Sequence, residues 1–494
     1  MPERRSPRPP RHHPAPPRRL LAALLLLAAA GPTLAATAAV PPRAATALPP
    51  AVSAQLARAQ VPPRALAVWL QALDAAQPRL DWNGRQAMNP ASVQKLVTTS
   101  AALDLLGPAW TWTTPVWFTG PLRQGVLDGS VVIQGTGDPK LVIERVWLLL
   151  RRLRAAGVQE IRGDILLDNG AFVPPEATPG DFDGEPWRPY NVLPDALLLN
   201  YKAVTLSFLP EPARKLARVV ADPALAGVTA DASVPLLPGP CDDWRAGLRL
   251  DATDPARWHF AGGFPATCGE KSWPLAYAEP KTYNARLVDA LWRELGGKLA
   301  GTVRDGRLAA GAQPAFEFAS PPLADVIRDI NKYSNNVMAE QLFLTLARER
   351  SGKPVVTQED GRTVVTAWLT ERLGTLPEDT VIVNGSGLAR QTRISARTLA
   401  QLLLSVGHGA FMPELLSSLP VSGVDGTLRR SAAAAGRTHL KTGSMRDVAA
   451  LAGEVLSASG RRWVLVALIN DPHAGAAHGA LDALVEWVGR DAPD

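Results

Sequence analysis

The first group of residues that could do chemistry is Pro90-Ala91-Ser92-Val93-Gln94-Lys95. A hydroxyl and an amine three positions apart on a helix lie on one face, within a single turn. A neutral lysine at this distance can accept the proton that an ordinary serine holds too tightly to attack an amide. No other lysine in the chain has a serine three positions before it. By itself the pattern also suits a helix cap beside a solvated lysine.

The second group is Tyr333-Ser334-Asn335-Asn336, where one predicted helix gives way to the next. The hydroxyl of Ser334 could relay a proton, and the amide of Asn336 could hold a peptide group by hydrogen bonds. Serine and asparagine at a helix start are also common helix caps, so this group alone leaves both interpretations open.

The third group is Lys441-Thr442-Gly443-Ser444 on a predicted strand. A lysine beside hydroxyls suits a terminal carboxylate, and a glycine leaves room for a substrate backbone along the strand. Taken alone, these residues equally suit an edge strand that a lysine protects from aggregation.

The elements that must position these groups follow from apolar periodicity and turn residues. Predicted helices cover Pro90 to Leu106, Leu323 to Ile330, Asn335 to Leu346 and the region of Leu481 to Val488, and predicted strands cover Leu440–Thr442, Ala449–Leu456 and Trp463–Ile469. Residues 110–319 change to short β-like runs with one helix around Trp147 to Leu153, which indicates an inserted region of two small β-rich domains. Residues 64–109 and 320–494 then form one domain.

The amino-terminal segment has the features of a secretory signal peptide. Six arginines precede the apolar run Leu20 to Ala30, and small residues follow it, so we predict a signal peptide at 1–38 and export to the periplasm. Residues 39–63, rich in Ala and Pro, are predicted to be a flexible lead-in. The apolar run is short of the roughly 20 residues that span a bilayer, so no stable membrane span is expected after cleavage.

Net charge argues against a nucleic-acid partner. The chain carries +6, but residues 1–38 hold six Arg and one Glu, a net +5, which leaves +1 for the rest. No basic stripe with interleaved aromatic residues remains. The two cysteines, Cys241 and Cys268, are predicted to form a disulfide in an oxidising compartment, because two cysteines without nearby histidines make a poor zinc site. No metal or other cofactor is expected.

Taken together and in this order, Ser-x-x-Lys, Ser-x-Asn and Lys-Thr-Gly are the motif set of the active-site serine penicillin-recognising enzymes. The chain most resembles the class C low-molecular-mass penicillin-binding proteins, the type 4 D-alanyl-D-alanine carboxypeptidase/endopeptidase family. Further matching stretches are Asn89–Ser92, Gly135–Pro139, Tyr190–Leu197, Gly385–Leu388 and Asp425–Leu428. The 239 positions between Lys95 and Ser334 also fit, since this family places extra domains there. Asn384 and Ala389 depart from its usual Asp and Ser.

The resemblance implies an α+β fold: a penicillin-binding transpeptidase-like or β-lactamase-like domain, with an antiparallel sheet flanked by helices and inserted mainly-β domains. It implies hydrolysis of D-alanyl bonds in peptidoglycan stem peptides and covalent inhibition by β-lactams. The implied roles are Ser92 as nucleophile, Lys95 as base, Ser334 as proton relay, Asn336 as amide ligand, and Lys441, Thr442 and Ser444 as carboxylate ligands, with an oxyanion hole formed by the N–H groups of Ser92 and Ser444.

Three other functions are alternatives to this one. A Ser-His-Asp hydrolase would need a nucleophile elbow, and Ser386 lacks the glycine two positions before it. A β-lactamase would share the motifs but needs a carboxylate for deacylation, and the sequence shows no Glu placed by a nearby Asn as in class A enzymes. A scaffold that binds peptidoglycan or partner proteins through the inserted domains is the non-enzymatic alternative.

Overall fold

The computed structural model describes residues 47–307 and 313–492, so the predicted signal peptide lies outside the described residues. The α-helices are α1 (Pro50–Arg58), α2 (Lys95–Leu106), α3 (Ile143–Ala155), α4 (Pro280–Glu294), α5 (Leu323–Lys332), α6 (Asn336–Ser351), α7 (Gln358–Leu373), α8 (Ala396–Gly407), α9 (Met412–Ser418) and α10 (His478–Gly489). The strands are β1 (Leu66–Ala72), β2 (Leu80–Trp82), β3 (Ala87–Met88), β4 (Thr113–Phe118), β5 (Leu122–Arg123), β6 (Val126–Leu127), β7 (Val131–Gln134), β8 (Glu160–Ile161), β9 (Ile165–Asp168), β10 (Ala203–Glu211), β11 (Leu216–Asp222), β12 (Thr229–Ala230), β13 (Ser233–Leu237), β14 (Leu248–Asp251), β15 (Arg257–Gly262), β16 (Phe264–Pro265), β17 (Lys271–Ala276), β18 (Lys298–Leu299), β19 (Val303–Asp305), β20 (Phe316–Ala319), β21 (Ile394–Ser395), β22 (Thr438–Met445), β23 (Val448–Leu456) and β24 (Arg462–Asn470).

An antiparallel sheet in the order β2-β1-β24-β23-β22 brings together strands from the two ends of the chain. Strand β1 is buried along its whole length because apolar clusters cover both of its faces. Leu66, Val68 and Leu70 belong to the cluster that contains α1 and α10. Ala67 and Trp69, which alternate with them, belong to the cluster that contains α2, α6 and α8. The sheet is therefore flanked by helices, as predicted.

The segment before β1 differs from its prediction. Residues 39–63 were expected to be a flexible lead-in, but Pro50–Arg58 form helix α1. Val52 and Leu56 lie one turn apart and are buried against α10. Pro50 is at the first helical position, where a missing N–H costs no helical hydrogen bond. The segment is rich in Ala and Pro, and this composition obscured the helical spacing of Val52 and Leu56.

Strands β4 to β20 occupy most of the interval 110–319, in which β-rich domains are predicted. They form four sheets, and one apolar cluster runs from Val116 to Phe318. Helix α3 is longer than the helix predicted at 147–153, and α4 was missed. The buried residues Tyr283, Leu287 and Leu291 recur at intervals of four along α4, a helical spacing that the sequence does contain. The division into two domains stays a prediction.

A disulfide joins Cys241 and Cys268 in this region, which confirms the predicted pairing. Cys268 is buried and Cys241 packs against the same apolar cluster. The bond closes a loop in which β14 and β15 form an antiparallel pair. It therefore constrains the inserted region.

Candidate active site

Ser92 lies in a 3₁₀ turn, Ala91–Gln94, that leads directly into α2. Ala91 has a φ of 45°, a left-handed conformation that costs a non-glycine residue about 1–3 kcal/mol. Asn89 supports it: its Oδ1 accepts the N–H of Ala91 at 2.8 Å, and its Nδ2 donates to the carbonyl of Ala389 at 2.9 Å. The turn leaves Ser92 partly exposed and places Lys95 in the interior.

The ammonium group of Lys95 is fully buried and makes three hydrogen bonds. Nζ donates to Oγ of Ser92 at 2.8 Å, to Oδ1 of Asn336 at 2.6 Å and to the backbone carbonyl of Ser386 at 2.8 Å. An amide oxygen and a carbonyl oxygen can only accept. When Lys95 is neutral, these two neighbours therefore take both of its N–H groups, and its lone pair faces the hydroxyl of Ser92.

Asn336 begins helix α6 and is held at both ends of its amide. Oδ1 accepts from Lys95, while Nδ2 donates to the carbonyl of Tyr190 at 3.0 Å. The preceding residue, Asn335, caps the helix by accepting the N–H of Met338. The two neighbouring asparagines thus have different functions, one structural and one in the site, and the inserted region reaches the site through Tyr190.

Ser334 and Lys441 form a second pair. Nζ of Lys441, also fully buried, donates to Oγ of Ser334 at 2.8 Å and to the carbonyl of Thr442 at 2.7 Å. Ser334 has a φ of 56° at the corner between α5 and α6. The nearby Lys332 fixes this corner through an ion pair with Asp425 at 2.5 Å.

Strand β22 lies at the edge of its sheet in the described part of the chain and contacts the Ser92 turn through Gly443. A Cβ on this glycine would lie 2.5 Å from the carbonyl oxygen of Pro90 and 3.2 Å from the backbone nitrogen of Ser92. The turn therefore fills the space that a side chain at this position would need, and the binding of a substrate backbone along the strand stays a prediction. Thr442 is partly exposed, and its hydroxyl forms a hydrogen bond of 2.7 Å with the hydroxyl of Thr427. Ser444 is exposed.

The structure therefore gathers the predicted residues into two hydrogen-bonded groups that meet at Gly443. The first contains Ser92, Lys95 and Asn336, and the second contains Ser334 and Lys441. Among these described residues there is no direct hydrogen bond between Ser92 and Ser334. The two hydroxyls each have a lysine as their neighbour.

Burial changes the electrostatics of both lysines. It lowers the pKa of Lys95 well below its usual value, and the positive charge of Lys441 lowers this pKa further, while the carboxylate of Glu340 acts in the opposite direction. Burial alone lowers the pKa of Lys441 to about 7. Near neutral pH a neutral amine is therefore accessible beside the hydroxyl of Ser92, which is the condition for a lysine base.

Sequence reasoning missed three contributors to the site: Tyr190, Glu340 and Ser386. Tyr190 and Ser386 act through backbone carbonyls, which leave no side-chain signature, although both lie in stretches that match the family. Glu340 is buried one helical turn after Asn336, and its carboxylate accepts the N–H of Ser386 at 3.0 Å. The spacing of four between Asn336 and Glu340 was the available signal.

A cleft of about 540 Å³ opens beside Asn336 and Ser386. Its other wall comes from the inserted region, including Phe182 and Tyr190. Arg390 lies over the ring of Phe182 at 5.1 Å, so the cleft is bordered by residues from both parts of the chain.

Within residues 47–307 and 313–492, no three His, Cys, Asp or Glu side chains are grouped so that they could hold a metal ion. In the same ranges no helix has both the length and the apolar character needed to cross a bilayer.

Comparison with known proteins identifies the family. The sequence model of the D-Ala-D-Ala carboxypeptidase 3 (S13) family matches residues 48–490. The chain belongs to this family. It is 26% identical to D-alanyl-D-alanine carboxypeptidase DacB of Haemophilus influenzae over 415 residues, covering 80% of this chain and 83% of that protein. It is 29% identical to D-alanyl-D-alanine carboxypeptidase of Actinomadura sp. (strain R39) over 443 residues, 83% of this chain and 79% of that one.

The S13 fold is also recognisable in a solved structure. Penicillin binding protein 4 (dacB) from Haemophilus influenzae superimposes with a TM-score of 0.72 at 23% identity, covering 88% of this chain and 99% of that chain. The predicted family, fold class and enzyme class are confirmed. Of the two departures from the S13 pattern, Asn384 donates from Nδ2 to the carbonyl of Leu388 at 3.4 Å, a bond that an ionised Asp could not make.

Proposed function

We propose that this S13 protein is a serine-type D-alanyl-D-alanine carboxypeptidase/endopeptidase that hydrolyses D-alanyl bonds of peptidoglycan stem peptides through an acyl-enzyme on Ser92. The observation that carries the proposal is the contact of Ser92 Oγ with the buried Nζ of Lys95, 2.8 Å away. Peptidoglycan is the substrate and β-lactams are the covalent inhibitors. Export to the periplasm, where this substrate lies, is part of the proposal.

Acylation begins when neutral Lys95 takes the proton of Ser92. Oγ forms a bond to the carbonyl carbon of the penultimate D-Ala, and the carbonyl oxygen becomes an oxyanion. The N–H groups of Ser92 and Ser444 are the proposed donors to this oxyanion, and such a donor is worth about 3–4 kcal/mol in related acyl transfers. The side chain of Asn336 has one N–H beyond its bond to Tyr190, which can hold a substrate carbonyl.

Departure of the amine requires a proton. When the carbon–nitrogen bond breaks, Ser334 donates its hydroxyl proton to the leaving amine and is reprotonated by Lys441, its partner at 2.8 Å. When water hydrolyses the ester, the lysinium of Lys95 returns its proton to Oγ of Ser92, and the proton lost by the attacking water passes through Ser334 to restore Lys441. Lys441, Thr442 and Ser444 are the proposed ligands of the terminal carboxylate. A β-lactam has no departing amine, so it leaves Ser92 blocked.

Labelled penicillin tests the proposal directly. It is expected to acylate the wild type and not Ser92→Ala, while Ser207→Ala on β10 serves as a matched serine control that labels normally. The wild type should also release D-Ala from a peptide that ends in D-Ala-D-Ala. A wild type that takes no label favours a peptidoglycan-binding or partner-binding scaffold. Rapid turnover of nitrocefin favours a β-lactamase.

A further inference from the structure

The proposed mechanism makes no use of Glu340, a buried carboxylate on α6 one turn after Asn336. Its Oε1 accepts the N–H of Ser386 at 3.0 Å. Its Oε2 accepts the N–H of Gly385 at 3.4 Å and Nε2 of Gln358 at 3.2 Å. All three partners are donors, which is the environment of an ionised carboxylate that can only accept. These donors oppose the rise in the pKa of Glu340 that burial causes.

The backbone segment that Glu340 binds is the one that receives Lys95. The N–H of Ser386 faces Glu340, and the carbonyl of the same residue accepts Nζ of Lys95 at 2.8 Å. There is no room for the segment to shift toward α6, since a Cβ on Gly385 would lie 2.5 Å from the carbonyl oxygen of Ala339. Glu340 therefore fixes one of the two acceptors that orient the amine of Lys95.

The charges around Glu340 are few. Lys95 on α2 faces it through the 385–386 segment, and Lys441 on β22 lies beyond Lys95. Arg362 on α7 borders the same cleft but is paired with Glu359 on its own helix. Among these described cations, Lys95 is the one joined to Glu340 through Ser386.

We propose that Glu340 is a positioning residue which, through the Ser386 carbonyl, aims the lone pair of Lys95 at Ser92 and supplies the counter-charge for the lysinium formed during acylation. The inference rests on the proposed function. It adds a residue outside the three motifs, one whose hydrogen bonds go to Ser386, Gly385 and Gln358 and not to Ser92.

Glu340→Gln removes the charge and keeps the shape. The buried Oε1 of Gln358 has no partner, so it can accept the new amide after a rotation of the Gln358 side chain. Glu340→Asp keeps the charge but is too short to hold both backbone N–H groups. Glu454→Gln on β23 is the matched control, because Glu454 is a buried carboxylate paired with Arg462. Acylation by labelled penicillin is followed from pH 5 to 9 for each variant, together with thermal unfolding.

For Glu340→Gln we expect the acid limb of the pH–rate profile to move about one unit lower, because loss of the carboxylate lowers the pKa of Lys95 further. The maximal rate should fall roughly tenfold. Glu340→Asp should leave the acid limb of the profile at its wild-type pH and lower the maximal acylation rate. Glu454→Gln should match the wild type in both.

A Glu340→Gln protein with the wild-type profile and rate overturns the inference while leaving the proposed function intact. If this variant does not fold, Glu340→Asp decides the positioning role, and a wild-type acylation rate in that variant overturns it. A wild type that takes no label at any pH overturns the proposed function and this inference together.

Discussion

Nζ of Lys95 lies 2.6 Å from Oδ1 of Asn336, a residue 241 positions later in the chain. The contact joins α2, which follows directly on the turn that holds Ser92, to α6, which starts at the second motif. The insertion between them supplies the carbonyl of Tyr190, which holds the other end of the Asn336 amide. The orientation of the base thus depends on both parts of the molecule.

Asn336→Ala is expected to slow acylation by penicillin by about 10²- to 10⁴-fold, because neutral Lys95 loses an acceptor that orients its lone pair. The adjacent Asn335→Ala is the control. It removes a helix cap, so it should lower the free energy of unfolding by about 1 kcal/mol and leave acylation close to wild type. Stopped-flow acylation and urea unfolding of the two proteins measure both effects. Equal losses of acylation rate in the two variants would contradict the assignment.

Gly443→Ala tests the close approach of β22 to the Ser92 turn. The added methyl group would meet the carbonyl oxygen of Pro90 at 2.5 Å, so strand and turn must separate. We expect a folded protein that acylates roughly 100-fold more slowly, since a misplacement of about 1 Å costs this much. Gly475→Ala is the control, because no atom lies within 4 Å of its added carbon. Unchanged acylation in Gly443→Ala would show that the contact does not align the site.

Lys441→Met is expected to stabilise the protein while abolishing acylation. The unfolded chain has a lysine pKa of about 10.4, and burial lowers the pKa of Lys441 to about 7 in the folded state. Between these values the folded chain binds fewer protons than the unfolded chain, so wild-type stability rises with pH. Below pH 7 the full cost of the buried charge is present. Lys441→Met removes this cost, about 5 kcal/mol for a difference of about 3.4 pKa units at about 1.4 kcal/mol each.

The gain in the free energy of unfolding for Lys441→Met should therefore be largest below about pH 7 and should shrink as the pH rises toward 10. Chemical unfolding at pH 6, 8 and 10 measures it. Lys281→Met, at an exposed position on α4, should show no such trend. A gain that is constant with pH, or a loss of stability at pH 6, would mean that Lys441 is not a desolvated amine.

The sequence by itself determined the chemistry of the site. Ser92, Lys95, Ser334, Asn336 and Lys441 could be named because their types and spacings, in that order, leave few other chemical uses. Strands β23 and β24 were also predictable, since long apolar runs between turn residues have few alternatives. Helix α1 was not, because its two buried residues stand out only once α10 is known to lie against them.

The tertiary structure decided the arrangement of these residues. Lys95 forms hydrogen bonds with Asn336 and with the carbonyl of Ser386. Ser334 forms one with Lys441 and none with Ser92. Both arrangements depend on packing between segments that are far apart in the chain. Every residue has a backbone carbonyl, so no residue type could predict that the carbonyls of Tyr190 and Ser386 serve as acceptors in the site. The low pKa values of both lysines are likewise properties of burial, which exists only when the chain is folded.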